Sequence, residues 1–110
     1  MEAYEIADIE LRRRAHAKVY EEFVRHSSMS IGLFVLPAGG VDTQAPHAED
    51  EACLVLRGRG EVTVADDSRE VGPGSVVFVP ARVAHQFHDI TEELSIVVFF
   101  APAEYSQRGH

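Results

Sequence analysis

The sequence predicts an all-β protein, a jelly roll that is preceded by one short helix. About eight short apolar runs alternate with turn-forming residues at intervals of roughly 8–12 residues, a pattern typical of a β-sandwich or β-barrel. Closing such strands into a double-sheet roll leaves few exposed edges and encloses space for one small ligand. The 110 residues are enough for one domain that buries its core without disulfides.

The first part of the chain is expected to be helical. Residues 7–17 contain several helix formers, and Asp8 is the expected N-cap of this helix. Aromatic and β-branched residues follow, so residues 19–26 are predicted to form the first strand. Residues 30–36 form the second predicted strand, which is apolar on both faces and should therefore lie between two layers.

The remaining strands are delimited by the turns between them. Glycine, proline and aspartate interrupt the apolar runs, and residues 58–60 are expected to end one strand. The predicted strands after residue 50 span residues 52–56, 61–65, 69–71, 75–79, 84–89 and 94–101. The whole chain, residues 1–110, is interpreted as one domain, with an N-terminal helical segment over residues 1–18 and a loose polar tail over residues 102–110.

Composition and charge argue against several classes of partner. The formal net charge of −8 comes from 18 acidic against 10 basic residues, so the protein should repel the phosphate backbones of nucleic acids. No apolar run reaches the roughly 18 residues that a membrane span needs, and the acidic N-terminus does not resemble a signal peptide. Cys53 is the single cysteine, which excludes an intrachain disulfide and agrees with a cytoplasmic location.

Two segments of the sequence carry the residues of a candidate metal site. His47 and Glu51 lie four residues apart in front of an apolar run, and His85 follows on a later predicted strand. An even separation directs both side chains of an extended segment to one face, and His85 can reach the same interior from a neighbouring strand. Imidazole and carboxylate groups suit Fe, Mn, Ni or Zn. We therefore predict that these three side chains bind a divalent transition metal.

These two segments resemble the two motifs of the cupin superfamily. The residues that match the first motif are Gly40, His47, Glu51 and Gly58. The residues that match the second motif are Gly74, Pro80, His85 and Asp89, the last in the place of an asparagine. The resemblance implies a small single-domain cupin of the conserved-barrel type, whose fold is a double-stranded β-helix, or jelly-roll barrel.

The sequence departs from the cupin pattern at the first histidine of the motif. That position falls on Ala45, which cannot bind a metal, so the family's usual set of three histidines and one glutamate loses one member. Gln44 is adjacent, and its amide oxygen is a candidate to fill or border the fourth position. Pro46 disturbs regular strand alternation here, and Arg82 stands where the family usually has glycine.

Three nearby residues have open interpretations. Glu49 lies an even number of residues from His47, so an extended segment would direct both side chains to one face. It is either a substitute ligand or part of an acidic barrel rim. His88 lies an odd number of residues from His85, so we expect it at the surface or in contact with the ligands rather than among them. Cys53 is either a small buried hydrophobe or a thiol near the metal.

The resemblance implies a function at the level of chemical class. The first hypothesis is a metal-dependent enzyme for a small organic molecule, a dioxygenase or an isomerase or epimerase, in which Glu51 doubles as a catalytic base. The alternative is a metal-free or non-catalytic cupin that binds a small molecule through its histidines. A purely structural domain is disfavoured, because buried polar groups cost free energy unless they are used. The resemblance also implies a homodimer formed by the N-terminal helix and residues 19–26.

Overall fold

The computed structural model describes residues 1–106, which form one helix and six strands. In chain order, these elements are α1 (Ile6–Ala15), β1 (Tyr20–His26), β2 (Met29–Leu36), β3 (Asp50–Val64), β4 (Asp67–Val71), β5 (Val76–Val79) and β6 (His85–Ala101). Every strand pair is antiparallel. The predicted all-β fold with a short N-terminal helix is therefore confirmed.

A long antiparallel pairing between β3 and β6 forms the centre of the fold. Its register runs from Asp50 opposite Ala101 to Val64 opposite His85, with irregularities near the middle of both strands. β6 also pairs with β2, and β3 also pairs with β4 and β5, so the strand order is β1-β2-β6-β3-β4 with β5 on β3. Because both long strands bend at these irregularities, the sheet rolls around one interior.

Two pairs of apolar runs that the sequence separates form single strands. Residues 58–60 do not end a strand but lie inside β3, where its register with β6 shifts. Gly58 has a φ of +95°, and a Cβ there would lie 2.1 Å from the carbonyl oxygen of Glu93. The predicted strands 84–89 and 94–101 likewise form one strand, β6. The prediction of eight separate strands was wrong because bulges use the same glycines and polar residues as turns.

The helix α1 covers Ile6–Ala15 and lies against the outside of the sheet. Its N-cap is Glu5, so the assignment of Asp8 as N-cap was wrong. Asp8 lies in the first turn instead, where a carboxylate is stabilised by the positive end of the helix dipole. No helix among residues 1–106 is long and apolar enough to cross a membrane.

The apolar side chains form two layers that share β2. Phe34 and Leu36 belong to the cluster inside the roll, together with buried residues of β3, β5 and β6. Leu33 and Val35 belong to the outer cluster, where Ile9 of α1 covers them. The expectation that β2 lies between two layers is therefore confirmed, and the second apolar face is explained by the helix that packs on it.

Residues 102–106 pack against the roll instead of forming a loose tail. Ala103 and Glu104 are buried, and the Glu104 backbone N–H donates to the Ser30 hydroxyl at 2.8 Å. Arg25 in turn donates to the Glu104 carbonyl at 2.8 Å. The prediction was wrong for this segment because its backbone finds hydrogen-bond partners on the barrel and two of its side chains are buried. Residues 107–110 of the predicted tail lie outside the described residues.

Gly58→Ala is expected to destabilise the fold far more than Gly74→Ala. Both glycines have similar backbone angles, φ +95° and φ +90°, but no atom lies within 4 Å of a Cβ added at Gly74. Backbone strain alone should cost about 1 kcal/mol at Gly74, and the additional clash should bring the loss at Gly58 to about 3 kcal/mol or more. Urea unfolding measures both losses, and equal losses would contradict the close crossing of β3 and β6.

Glu10→Gln is expected to lower stability at neutral pH but not in acid. Arg13 donates to both carboxylate oxygens of Glu10, at 2.7 and 2.9 Å, and Arg14 donates at 3.0 Å. The Arg13 hydrogen bonds, helped by Arg14, lower the pKa of Glu10 to about 2. A lowered pKa stabilises the fold above the unfolded-state value near 4.3 and loses that effect as pH falls towards 2.

The loss from Glu10→Gln should be about 1 kcal/mol at pH 7, after allowance for solvent screening. The difference in unfolding free energy between the variant and the parent should shrink from neutral pH to about pH 2.5, as the carboxyl group approaches its folded pKa. Glu5→Gln is the control, because the Glu5 side chain makes no capping hydrogen bond. A loss that is independent of pH would show that these ion pairs do not cause it.

Candidate metal centre

Three polar side chains from distant parts of the chain meet inside the roll. His47 lies in the loop between β2 and β3, Glu51 lies on β3, and His85 is the first residue of β6. Glu51 Oε1 is 3.3 Å from His85 Nε2 and 4.0 Å from His47 Nε2. One ligand atom from each residue lies within 4.8 Å of the other two. The structure thus brings together the three residues that the sequence predicts.

The separations and the burial of these atoms fit one metal ion. Ligand atoms that bind one ion at about 2.1 Å lie roughly 3–4 Å from one another. The side chains of His47, Glu51 and His85 are 8%, 1% and 1% exposed. Glu51 Oε1 and His85 Nε2 are buried and make no hydrogen bond of acceptable geometry, despite their short separation. Two buried polar atoms that face each other without partners are available to bind an ion.

The protonation equilibria of the two histidines differ because their surroundings differ. Burial lowers the pKa of His47, and the nearby Glu51 carboxylate only partly opposes this effect. Burial also acts to lower the pKa of His85, but the adjacent Glu51 and the Val83 carbonyl outweigh it and raise that pKa. Metal binding requires the neutral imidazole, so an ion must displace the proton that Glu51 stabilises on His85.

Cys53 fixes the second oxygen of Glu51. The Cys53 thiol donates to Glu51 Oε2 at 3.2 Å, while Oε1 faces the histidines. Burial, reinforced by the Glu51 charge, raises the pKa of Cys53 well above its usual value, so the thiol stays protonated. Cys53 therefore belongs to the buried core, and its thiol contacts a candidate ligand.

The amide of Gln44 lies beside the histidines. Its Oε1 is 3.1 Å from His47 Nε2, the ring nitrogen that faces Glu51. Its Nε2 donates to Asp42 at 3.1 Å. Ala45, where the first motif histidine would fall, is exposed. Residues 40–47 are not in a strand, so Gln44 and not Ala45 turns towards the centre.

A buried carboxyl group lies on the opposite side of the His47 ring. Glu104 Oε2 is 3.5 Å from His47 Nδ1. Burial, together with the charge of Glu22, raises the pKa of Glu104 to about 7. Histidine ligands commonly place a carboxylate at the nitrogen that does not bind the metal. The sequence does not indicate this role for Glu104, since the residue is far from both motifs and lies in a segment expected to be loose.

A cavity of about 500 Å³ adjoins the candidate centre. Its lining includes Tyr20, Phe34, Gln44, His47, Phe100 and Glu104. Glu51 and His85 do not line it, so the cavity reaches the centre through Gln44 and His47. The hydroxyl of Tyr20 is buried there without a hydrogen-bond partner. The cavity therefore combines apolar walls with a few polar groups, as small-molecule sites commonly do.

Two other acidic or histidine residues do not join the group. Glu49 is buried and accepts a hydrogen bond from the Tyr105 backbone N–H at 3.1 Å. It is therefore neither a member of the candidate ligand group nor part of an exposed acidic rim. His88 is half-buried, with Nδ1 2.6 Å from Asp89 Oδ2 and Nε2 2.7 Å from the Thr63 hydroxyl. Because both ring nitrogens contact side chains away from this centre, His88 does not join it, and with Glu61 and Asp89 it forms a second, more exposed group that could hold an ion.

The backbone of Arg82 helps to hold the His47 loop. Arg82 has a φ of +65°, a conformation that glycine adopts most easily, which explains the glycine that the cupin pattern has here. Its N–H donates to the His47 carbonyl at 2.6 Å. Ala81 N–H also donates to Asp50 Oδ1 at 2.9 Å. The turn before β6 therefore fixes the loop that carries His47.

The fold and the site define a small rolled β-barrel with a His–Glu–His group in its interior. The family model for the cupin domain matches residues 32–101, which include all three residues. The chain belongs to the cupin family. The comparison also confirms the family that the two motifs indicate.

Several proteins are similar to this chain in sequence or in fold. The uncharacterized protein SCO3923 of Streptomyces coelicolor is 45% identical over 104 residues, which cover 94% of this chain and 99% of that protein. An RmlC-like cupin from Methanocaldococcus jannaschii, with a double-stranded β-helix fold, has a TM-score of 0.69 at 24% identity and covers 76% of this chain and 79% of its own. The DMSP lyase DddQ from Ruegeria pomeroyi has a TM-score of 0.65 at 23% identity, covering 69% of this chain and 39% of its own. At these identities the two solved structures show the shared fold alone.

Glu51→Gln is expected to stabilise the metal-free protein. The substitution removes a buried charge and supplies an amide N–H that can donate to the neutral form of His85 at Nε2, which makes no hydrogen bond now. We expect the free energy of unfolding to rise by about 1 kcal/mol at alkaline pH, where His85 is neutral and the buried Glu51 carboxylate has no counter-charge. Thermal and urea unfolding in the presence of a chelator measure this change.

Glu49→Gln is the matched control for Glu51→Gln. Both glutamates are 2% exposed, but Glu49 accepts a backbone hydrogen bond that the structure uses. Glu49→Gln should give no gain in stability. A clear loss of stability in Glu51→Gln would mean that its carboxylate is a structural group rather than a group reserved for a ligand.

Proposed function

We propose that this protein is a metal-dependent cupin that acts on a small organic molecule. In this proposal, His47, Glu51 and His85 hold a divalent Fe, Mn, Ni or Zn ion. The observation that carries it is the pair of buried atoms that make no hydrogen bond, Glu51 Oε1 and His85 Nε2, which face each other at 3.3 Å. Such atoms cost free energy in the metal-free protein, and an ion that both atoms bind would account for their retention.

The proposal includes Gln44 as the fourth ligand. Its amide oxygen lies 3.1 Å from His47 Nε2, a separation that adjacent ligands of one ion can adopt. An oxygen at this place would substitute for the histidine that is missing at Ala45. The donor set would then contain two nitrogens and two oxygens, with further positions open to a substrate or water.

The reaction class follows from the donor set and the cavity. A metal held here supplies Lewis-acid polarisation of a substrate oxygen or, if it is redox-active, electron-transfer chemistry. The chain excludes bulk water from the centre and offers apolar walls and the Tyr20 hydroxyl to the substrate. Dioxygenase and isomerase or epimerase reactions are the proposed classes. The burial of Glu51 and its contact with Cys53 favour a holding role over the predicted role as a base.

The second candidate function is a metal-free cupin that binds a small molecule. It is favoured by the contact between Gln44 Oε1 and His47 Nε2, which satisfies this imidazole nitrogen without an ion. The Tyr20 hydroxyl would then act as a donor to the bound molecule. This function predicts ligand binding that does not depend on added metal.

Two further expectations accompany the proposal. A homodimer formed through α1 and β1 remains a prediction, and the exposed apolar side chain of Leu11 on α1 is compatible with it. A cytoplasmic location also remains a prediction, and the single free thiol of Cys53 is compatible with it.

Protein purified without a histidine tag is expected to bind about one metal ion per chain, because the part of the chain that the structure describes offers one such set of ligands inside the roll. Elemental analysis after reconstitution with Fe, Mn, Ni or Zn measures the content. His47→Ala and His85→Ala should each reduce it to background, because each variant removes one of the nitrogen ligands. His88→Ala is the matched control and should keep the parental metal content, since both its ring nitrogens contact other side chains.

Absence of metal from the parent protein after reconstitution with all four ions would overturn the metal-dependent function. Binding of a small molecule by that metal-free protein would then favour the second function. Equal loss of metal in His88→Ala and His47→Ala would contradict the assignment of the ligands while leaving metal binding intact.

A further inference from the structure

Asp42 is a buried carboxylate that organises the loop in front of His47. The residue is 3% exposed and lies outside both groups that could hold an ion. Its Oδ1 accepts the backbone N–H of Gln44 at 3.1 Å. Its Oδ2 accepts the side-chain amide of Gln44 at 3.1 Å and the backbone N–H of Phe87 at 2.9 Å. Both oxygens are thus used, and two of the three bonds go to Gln44.

These bonds determine which end of the Gln44 amide faces the candidate centre. An ionised carboxylate can only accept hydrogen bonds, so the NH₂ group of Gln44 must face Asp42. The carbonyl oxygen Oε1 must then point away from Asp42, and it lies 3.1 Å from His47 Nε2. The reverse orientation would place two acceptors against each other and direct an NH₂ group, which cannot bind a metal, at the centre.

We propose that Asp42 is a positioning residue that holds the Gln44 amide as an oxygen donor to the metal. The inference rests on the proposed function, because it assigns a role to Asp42 only if an ion binds beside Gln44. In this arrangement, a pair of residues replaces the single histidine that is missing at Ala45. Gln44 supplies the ligand atom, and Asp42 fixes the orientation of that atom towards the ion, which a histidine ring would not need.

Charge and burial support this assignment. The bond from the Gln44 amide to Asp42 is charge-assisted and partly buried, and charge-assisted bonds are stronger than those between neutral groups. Gln44 reaches the centre from a loop rather than a strand, so its side chain would otherwise adopt several rotamers. Orienting a ligand before the ion arrives lowers the entropy that binding must overcome.

A double-mutant cycle with Co²⁺ tests the inference. Cobalt is the probe because its visible absorption reports both affinity and the coordination of the ion. Gln44→Ala and Asp42→Ala should each weaken binding about tenfold, the lower end of the range for neighbours of metal ligands. If Asp42 acts through Gln44, the double variant should bind Co²⁺ as Gln44→Ala does, with the same absorption spectrum.

A merely structural role of Asp42 predicts a different outcome. The two losses would then multiply, and the double variant would bind about a hundredfold more weakly than the parent. Gln86→Ala is the matched control, because Gln86 donates to the Asp42 backbone carbonyl at 3.1 Å without contacting Gln44. This variant should keep the parental affinity if loosening of the loop is not the cause.

The remaining outcomes are also decisive. Multiplied losses, or an Asp42→Ala variant that binds cobalt as the parent does, overturn the inference and leave the proposed function intact. A parent protein that binds neither cobalt nor any of Fe, Mn, Ni and Zn overturns both, and if cobalt alone fails to bind, the affinities of the cycle are measured with the ion that does. Circular dichroism of each metal-free variant checks folding, and if Asp42→Ala does not fold, Asp42→Leu, which fills the same space without an acceptor, takes its place in the cycle. Failure of both variants to fold would assign Asp42 to the structure of the loop and overturn the inference.

Discussion

The antiparallel pairing of β3 with β6 is the constraint on which the rest of the structure depends. It fixes Glu51 on the inner face of one strand and starts the other strand at His85. It also forces the backbones together at Gly58, where no side chain fits. The shorter strands add to the edges and ends of this pair, and the loop before β3 carries His47 and Gln44. The paired strands thus position two of the candidate ligands, and this loop adds the others.

The architecture could be predicted from the sequence because its signals are local and repeated. Alternating apolar residues and regularly spaced turns indicate a rolled sheet, and the apolar second face of β2 indicates a covering layer, which Ile9 supplies. The lengths of β3 and β6 could not be predicted in the same way. A glycine at a bulge and a glycine at a turn look alike in sequence, since both meet a local need for unusual backbone angles. Only the partner strand distinguishes them.

The site was predictable to the extent that it follows the motifs. The spacing of the motifs identifies His47, Glu51 and His85 as candidate ligands. The argument that an even separation places two side chains on one face of a strand does not apply to His47, which lies in a loop. The neighbours of these residues had no comparable signal. Asp42 and Glu104 act through contacts between residues far apart in the chain, and a lone carboxylate in a polar segment resembles any surface acid. Burial, which only the folded chain shows, separates them from such acids.

The packing of residues 102–106 has a thermodynamic consequence. Glu104 contacts His47 from a segment that also forms one wall of the cavity. If that segment is more ordered when the cavity or the centre is filled, then linkage requires the converse: whatever orders the segment raises affinity at the centre by the same factor. Residues 102–106 would then be coupled energetically to the centre, and a contact that orders them would strengthen binding there without touching any ligand of the ion.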